Sequence, residues 1–197
     1  MQLEIHGFFD IKDFETNAIV YSGKNAIHFE NMSEAIAMML ANKGNGYIYE
    51  VELGNGGTSV DSTGIITYLP ANNRGQDAQL YNKTYSKIVD NTNVLNNNPL
   101  LNRMEIRHAT GMPYTDIFVT WVLDYGEPSG QDAFDNSSSM NGKYVFDELG
   151  LKSWDNNGNS RLLTHAVFHP FQKALNRKYK MEYTIRIQTL TNLSAIG

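Results

Sequence analysis

Alternation of apolar and polar side chains predicts that most of this chain is β-structure. Residues 47–53 (YIYEVEL) and 181–190 (MEYTIRIQTL) alternate at every second position, the spacing of a strand with one buried face. Residues 116–123 (DIFVTWVL) are apolar on both faces, which places that strand in the interior of a sheet. Further extended segments are expected at residues 19–21, 27–29, 65–69, 104–109, 144–154 and 161–168.

One segment has the period of an amphipathic helix. Its apolar positions recur at three- and four-residue spacing: Met32, Ile36, Met39 and Leu40. Ser33 is expected to cap its first amides, Glu34 complements its positive end, and Gly44 ends it. A stripe that contains methionine suits a core, and it also suits an adaptable protein contact.

Two long polar segments interrupt the strands. Residues 71–102 and 126–142 are rich in Asn and Ser and are predicted to be long loops, the first with one short helix between positions 78 and 89. Residues 1–30 mix aromatic and acidic side chains and form a candidate N-terminal arm.

The last third of the chain, residues 144–190, is predicted to be a C-terminal β-module. Two extended segments flank the polar run 155–159 (DNNGN), so they should form a hairpin, and the segment 181–190 follows as a return strand. We therefore expect a single domain over residues 1–197. Its fold class is mainly β (α+β), an antiparallel β-sandwich with one amphipathic helix and long loop insertions.

The composition restricts the kinds of partner that this chain is expected to bind. The net charge of −5 argues against a nucleic-acid surface, and the short basic run 173–180 fits a solvated turn. The chain has no cysteine, so disulfides, thiolate metal sites and a cysteine nucleophile are excluded. No signal peptide and no membrane-spanning run are visible, so we expect synthesis in the cytoplasm and no membrane partner. The uncharged polar surface suits contacts that become buried in an assembly.

Three motifs suggest chemistry, and each has a simpler structural interpretation. Residues 54–57 (GNGG) lack the helix and lysine that follow in a phosphate loop, so we interpret them as a hairpin turn. Residues 155–159 match the start of a calcium loop, but its twelfth ligand would fall at Ala166. His165 and His169 have a zinc spacing only on a helix, and they flank a strand here. No metal and no cofactor are expected.

Paired carboxylates leave a second class of function open. Asp147 with Glu148, and Glu50 with Glu52, could act as acid and base once folded, although no aromatic-lined cleft beside them is evident. A carbohydrate-binding or carbohydrate-acting β-sandwich is therefore an alternative. The aromatic side chains that motivate it are Tyr47, Tyr49, Tyr68, Trp121 and Trp154.

Residues 146–173 carry a distinctive order of residues. Phe146 precedes an acidic strand with the pattern Glu148-aliphatic-Gly150-aliphatic, then come a polar turn with glycine, an apolar strand, and Pro170 with Lys173 before a last strand. This order resembles a recurring β-module of tailed-bacteriophage virion proteins, which occurs at the attachment ends of tail-fibre, collar and baseplate components.

The resemblance implies a non-enzymatic structural component of a tailed-phage virion. Such a subunit would form symmetric ring contacts in the neck, tail or baseplate region and anchor fibres, and a capsid decoration (cement) protein is the alternative within this class. Its partners would be other virion proteins and copies of itself, and its location the virion, assembled in the host cytoplasm. The loops 71–102 and 126–142 would be arms that order on assembly.

The expected interface or structural residues follow from the same segment. They are Phe146, Glu148, Gly150, Phe168, Pro170, Phe171 and Lys173. Glu148 and Gly150 should shape the hairpin, and an inward-facing Glu148 needs a partner, for which Lys173 and Arg186 are the candidates. Phe168, Pro170 and Phe171 form either a contact patch or, as we favour, part of the core. No catalytic residue is assigned.

Overall fold

The computed structural model describes residues 2–129 and 144–190, which contain eleven strands and one helix. In chain order the elements are β1 (Gln2–Asp13), β2 (Ile19–Ile27), α1 (Phe29–Leu40), β3 (Ile48–Gly54), β4 (Thr58–Val60), β5 (Ile66–Tyr68), β6 (Lys83–Ile88), β7 (Arg103–His108), β8 (Tyr114–Leu123), β9 (Val145–Ser153), β10 (Leu162–Gln172) and β11 (Tyr179–Leu190).

Nine of these strands form one antiparallel sheet. The strand order is β6-β3-β9-β10-β2-β1-β11-β8-β7, and β4 pairs with β5 as a separate hairpin. The predicted class, mainly β with one helix, is confirmed for the described residues. β8 has a neighbour on each side, as its two apolar faces predicted.

The sheet curls, so that both of its halves pack around one core. Val51 and Leu149 from one half share a buried cluster with Trp121 and Tyr183 from the other. The edge strand β6 also approaches the other half of the sheet, where Nζ of Lys87 donates to the carbonyl of Val122 on β8 at 2.6 Å. The curled sheet is broadly consistent with the sandwich that the sequence predicted.

The first strands lie inside the sheet rather than on an arm. β1 is paired with β11 along its whole length, from Gln2 opposite Leu190 to Asp13 opposite Tyr179, and with β2 on its other side. The candidate N-terminal arm is therefore wrong. A Cβ at Gly7 of β1 would lie 1.6 Å from Oδ1 of Asn25 on β2, so a larger residue there would force the Asn25 side chain to move.

The C-terminal segment divides between two parts of the sheet. β9 and β10 form the predicted hairpin, and the N–H of Gly158 donates to the carbonyl of Asp155 at its tip at 3.0 Å. The expected return strand beside this hairpin is wrong, because β2 and β1 lie between β10 and β11. Residues 144–190 are thus not a contiguous module.

The helix begins earlier than its apolar spacing predicted. His28 is its N-cap, where Nδ1 accepts the N–H of Asn31 at 3.2 Å and Nε2 donates to the carbonyl of Gly75 at 3.0 Å. Ser33 lies within the helix, and its hydroxyl donates to the carbonyl of Glu30, so the predicted cap is wrong. This helix is too short and insufficiently apolar to cross a membrane, and no other helix occurs in the described residues.

The long loop predicted at residues 71–102 is interrupted by a strand. The short helix expected between positions 78 and 89 is wrong, because β6 forms there and pairs with β3. Residues before and after β6 are also hydrogen-bonded to the chain's own sheet, Tyr81 to Glu148 on β9 and Asn102 to Val122 on β8, so the segment is not a free arm. Of the second predicted loop, 126–142, residues 130–142 lie outside the described residues.

Candidate functional site

The described residues bring several titratable side chains together beneath one segment, residues 55–82, which we call the flap. The flap includes the β4–β5 hairpin and covers the face of β9 and β10 that points away from the core. On β9, Leu149 and Leu151 face the core. Glu148 and His165, which alternate with core residues on their strands, therefore face the flap.

Glu148 is the centre of this cluster. Its Oε1 accepts the backbone N–H of Asn82 at 2.8 Å and that of Gly56 at 3.1 Å. Its Oε2 accepts the backbone N–H of Tyr81 at 2.9 Å and Nε2–H of His165 at 3.0 Å. Both side chains are fully buried. The carboxylate thus has a donor at every expected position, and three of the four donors belong to the flap.

His165 links the same carboxylate to a third part of the flap. Its Nδ1 accepts the backbone N–H of Asn72 at 2.7 Å, so the imidazole is neutral and carries its proton on Nε2. The ring of Tyr81 lies over it, with the two ring centroids 5.7 Å apart. A neutral histidine that donates to a carboxylate acts here as one more dipole around a buried negative charge.

Asp147 binds the start of the flap. Its Oδ1 accepts the N–H of Gly57 at 2.9 Å, and its Oδ2 accepts the N–H and the hydroxyl of Thr58 at 2.8 and 2.5 Å. Two N–H groups of the glycine-rich run 54–57 therefore do bind anions, but these are the carboxylates of Glu148 and Asp147 in the same chain. A Cβ at Gly54 would lie 2.4 Å from the carbonyl oxygen of Asn82 and 2.5 Å from Oε1 of Glu148, which explains why glycine is needed there.

The two neighbouring carboxyls have pKa values shifted in opposite directions. Burial raises the pKa of Asp147, and the donors on Thr58 and Gly57 offset only part of this effect. Burial also acts to raise the pKa of Glu148, but the hydrogen bonds from His165, Asn82 and Tyr81 outweigh it, so its pKa lies below the ordinary value.

A second ion-pair group extends the cluster along the same face. Oε1 of the buried Glu52 accepts from Nζ of Lys83 at 2.6 Å and lies 3.5 Å from Nζ of Lys152. Nζ of Lys152 also donates to Oε1 of Gln79 in the flap at 2.7 Å. The flap is therefore attached to β9 and β10 directly, and to Glu52 of β3 through Lys152.

Chemically, this arrangement is suited to holding the flap in place. A carboxylate hydrogen-bonded to histidine is also a common acid–base pair, but here the acceptor sites of Glu148 and Nδ1 of His165 are occupied by the chain's own backbone. No group of three or more His, Cys, Asp or Glu side chains with metal-binding geometry occurs in the described residues. His165 and His169 diverge, and Nδ1 of His169 contacts the hydroxyl of Tyr68 at 3.1 Å on the surface.

The structure separates the residues predicted from the sequence into different environments. Phe146, Phe168 and Pro170 are buried and Phe171 is partly buried and packs against the core. Of the two interpretations of Phe168, Pro170 and Phe171, the structure therefore agrees with core packing and not with a contact patch. The partners expected for Glu148 are also wrong. Nζ of Lys173 donates to the carbonyl of Ala174, and Arg186 binds Asp116.

Gly150 and Lys173 have defined structural positions. A Cβ at Gly150 would lie 2.6 Å from Cδ1 of Leu162 and 2.8 Å from the carbonyl oxygen of Thr164, so the β9–β10 hairpin requires a close backbone approach here. Lys173 is fully buried, and burial lowers its pKa to about 8, although the carboxylates of Glu127 and Asp124 act in the opposite direction.

A different part of the surface carries an open apolar cleft beside α1, which we call the α1 cleft. It consists of a cavity of about 460 Å³ between α1 and β1 and one of about 300 Å³ between α1 and β7, β8 and β11. The two cavities share Met32 and Ile36 of the helix. The predicted apolar stripe of α1 therefore both contributes to the core and lines an open surface.

Comparisons with protein-family models, with curated proteins and with solved structures found no match to this chain.

Proposed function

We propose that this protein is a structural subunit of a tailed-phage virion that acts through surface contacts and has no catalytic role. The observation that carries the proposal is the exposed apolar rim of the α1 cleft. Phe29 is 66% exposed, Met39 of α1 is 44% exposed, and Ile106 on β7 is 78% exposed, and all three line the cleft. Large contiguous apolar surfaces are uncommon on soluble monomers and mark sites of association.

The arrangement of the titratable side chains supports the same proposal. Asp147 and Glu148, one of the carboxylate pairs that the sequence offered for acid–base chemistry, are used to attach the flap, and both members of the Glu148–His165 pair are fully buried. In contrast, the surface around α1 offers aliphatic side chains. A protein with this distribution is suited to binding other polypeptides.

The virion class is supported by the order of residues in 146–173, which resembles the phage β-module. Within that class, a place in the neck, tail or baseplate is proposed. There, copies around a ring would gain affinity through repeated modest contacts. The partners proposed are other virion proteins and further copies of this chain.

The test is to locate the protein on intact particles. Antibodies raised against the purified protein would be applied to tailed particles from the source of the sequence, with immunogold electron microscopy and mass spectrometry of the same preparation. Label confined to the neck, tail or baseplate is expected. Label over the capsid shell would instead indicate a capsid decoration protein. Absence of the protein from mature particles would refute the proposal.

A matched pair of variants connects the particle test to the α1 cleft. Met39→Lys introduces a charge at the exposed rim of the cleft and should reduce incorporation into particles, because a lysine cannot be buried there unpaired. Lys43→Met lies one helical turn further on, outside the helix and exposed, and should leave incorporation unchanged. Equal incorporation of both variants would show that the α1 cleft is not needed for incorporation into the virion.

A further inference from the structure

β7 is an edge strand of the described sheet, and part of its backbone faces away from β8. The N–H of Met104 donates to Oδ1 of Asn91, which is not on β8, at 3.2 Å. Alternate residues of a strand direct their backbone groups to the same side, so Ile106 and His108 also direct theirs away from β8. Within residues 2–129 and 144–190, no strand pairs with this side of β7.

The neighbouring strand supports this direction independently. Val122 of β8 directs its N–H to Oδ1 of Asn102 and its carbonyl to Lys87, on the β7 side. Residues of the same parity on β8 lie opposite Arg103, Glu105 and Arg107. These three residues therefore form the hydrogen-bonded pairs with β8, and the residues between them form the open edge.

The side chains on β7 are sorted by face. Met104, Glu105 and Ile106 border the α1 cleft. Because side chains alternate along a strand, those of Met104 and Ile106 share one face of β7, and those of Arg103, Glu105 and Arg107 share the other. On that face Glu105 binds Arg103 at 2.6 Å and Arg107 at 3.2 Å, and the guanidinium of Arg107 lies 3.4 Å from the ring centroid of Phe118. The edge thus has an apolar side and a charged side.

This edge is complementary to itself when it is paired antiparallel about Ile106. In that register Ile106 lies opposite Ile106 of the second copy, Glu105 lies opposite Arg107, and Arg107 lies opposite Glu105. Every charged position within this central stretch then meets the opposite charge. Opposite charges directly across two strands stabilise the pair, whereas like charges destabilise it.

The same register satisfies the open backbone groups. Ile106 of each copy exchanges two hydrogen bonds with its counterpart, because both residues direct their N–H and carbonyl groups outward. The N–H of His108 can also donate to the carbonyl of Met104 in the other copy, while the N–H of Met104 keeps its bond to Asn91. An unpaired strand edge is otherwise a template for uncontrolled association.

Apolar burial acts in the same direction. Paired residues point to the same face of a sheet, so Ile106 of the second copy would lie beside Ile106 over the opening of the α1 cleft. The exposed Met39 of α1, which lines the same cavity, lies on this side as well. The pairing would therefore cover part of the apolar rim that carries the proposed function.

We propose that two copies of this chain associate through β7, in an antiparallel register centred on Ile106, to form a continuous sheet across a twofold axis. The inference rests on the proposed function, since it names one self-contact that such an assembly would use. A contact of this kind is isologous, so each copy contributes the same residues.

The test is a charge exchange across the pair, measured by sedimentation of the purified full-length chain. Glu105→Arg places Arg opposite Arg twice, and Arg107→Glu places Glu opposite Glu twice. Each variant alone should weaken homodimer formation about tenfold or more relative to the unchanged chain. A mixture of the two variants should form a heterodimer, because each contact then joins Arg to Glu. The double variant should restore the homodimer.

Two further variants make the result specific. Arg74→Glu changes the charge of the chain by the same amount as Arg107→Glu, but at an exposed position in the flap, and it should leave association unchanged. Ile106→Lys should abolish association and leave the monomer folded, because this side chain is exposed and its backbone does not bind β8. Circular dichroism of each monomer checks the fold.

Failure of this inference is distinguishable from failure of the proposed function. A monomer at all concentrations, or variants whose mixture associates no better than each alone, would overturn the β7 pairing, and the location on particles would be unaffected. Conversely, charge-dependent pairing by a protein that is absent from particles would support the β7 contact and refute the virion role.

Discussion

Glu148 and His165 lie on the adjacent strands β9 and β10, with Oε2 of the carboxylate 3.0 Å from Nε2 of the imidazole. Each of them also binds the backbone of the flap, Glu148 through Tyr81 and Asn82, and His165 through Asn72. Two side chains therefore join two strands of the sheet to a segment that is distant in the sequence. The stability of this connection depends on the charge state and shape of Glu148.

Replacement of Glu148 by alanine is expected to destabilise the fold strongly. Glu148→Ala leaves the N–H groups of Gly56, Tyr81 and Asn82 and the Nε2–H of His165 without their acceptor. The expected loss is about 3–5 kcal/mol in the free energy of unfolding, together with a lower soluble yield. Urea unfolding followed by circular dichroism measures it. Glu148→Gln keeps the shape and one acceptor oxygen, and should lose less.

An exposed carboxylate provides the control for this prediction. Asp77 has a side chain that is 98% exposed and binds Arg161 at 3.0 Å. Asp77→Ala is expected to change the free energy of unfolding by less than about 1 kcal/mol. Equal effects at Glu148 and Asp77 would contradict the attachment of the flap by Glu148.

The pH dependence of stability should distinguish Glu148 from its neighbour Asp147. The pKa of Glu148 is lowered by folding, so its contribution is present above the unfolded value and is lost as the pH falls through the folded pKa. The pKa of Asp147 is raised by folding, so its contribution is present below the unfolded value and is lost as the pH rises through the folded pKa. The two groups therefore act in opposite directions.

Two amide variants measure these opposite contributions. Glu148→Gln should be less stable than the unchanged chain at pH 7. This difference in stability should become smaller as the pH is lowered to below about 4. Asp147→Asn should instead become less stable relative to the unchanged chain as the pH is lowered, because protonation of Asp147 stabilises the folded state of the unchanged chain. Melting temperatures at a series of pH values test this, and parallel curves for all three proteins would refute the assignment.

The strands were predictable because alternation is a local property of the sequence. β8 and β11 show this most clearly, since Ile117, Trp121, Met181 and Tyr183 occupy every second position and all lie in the core or against it. Alternation reports which face of a strand is buried, but not which strand lies beside it. The pattern therefore could not predict that β11 pairs with β1 rather than with β10.

The partners of Glu148 could not be predicted for a different reason. Three of its four donors are backbone N–H groups, which almost every residue has, so they leave no signature in the sequence. The fourth donor, His165, was noted only for its spacing from His169. The glycines at 54–57 were the available signal, because a run with little side chain allows the backbone to approach an anion closely.

The sequence pattern and the structure assign different N-caps to α1, Ser33 and His28 respectively. His28→Ala removes the cap of Asn31 and the bond to the carbonyl of Gly75 in the flap, so it should cost about 2–3 kcal/mol in the free energy of unfolding. Ser33→Ala removes only an exposed bond to the carbonyl of Glu30 and should cost less than about 0.5 kcal/mol. Denaturant unfolding of both variants decides between the two caps, and a larger effect at Ser33 would restore the pattern-based assignment.

The buried Lys173 should oppose folding at neutral pH, so that its removal stabilises the protein. Burial lowers its pKa from 10.5 to about 8, so the unfolded chain binds more protons between these values. Stability of the unchanged protein should therefore rise with pH across this window. Lys173→Met fills a similar volume without a charge and should raise the free energy of unfolding at pH 7 by about 1–3 kcal/mol. The carbonyl of Ala174 keeps a second donor, the N–H of Arg177.

The decisive measurement is the pH dependence of that gain. The difference in melting temperature between Lys173→Met and the unchanged protein should be largest at pH 7 and should shrink as the pH approaches 10.5, because the unchanged Lys173 then becomes neutral in the folded state. Lys43→Met serves as the control, since Lys43 is exposed and its replacement removes the same charge without relieving burial. A gain that stays constant with pH, or that Lys43→Met reproduces, would show that the buried charge of Lys173 does not limit stability.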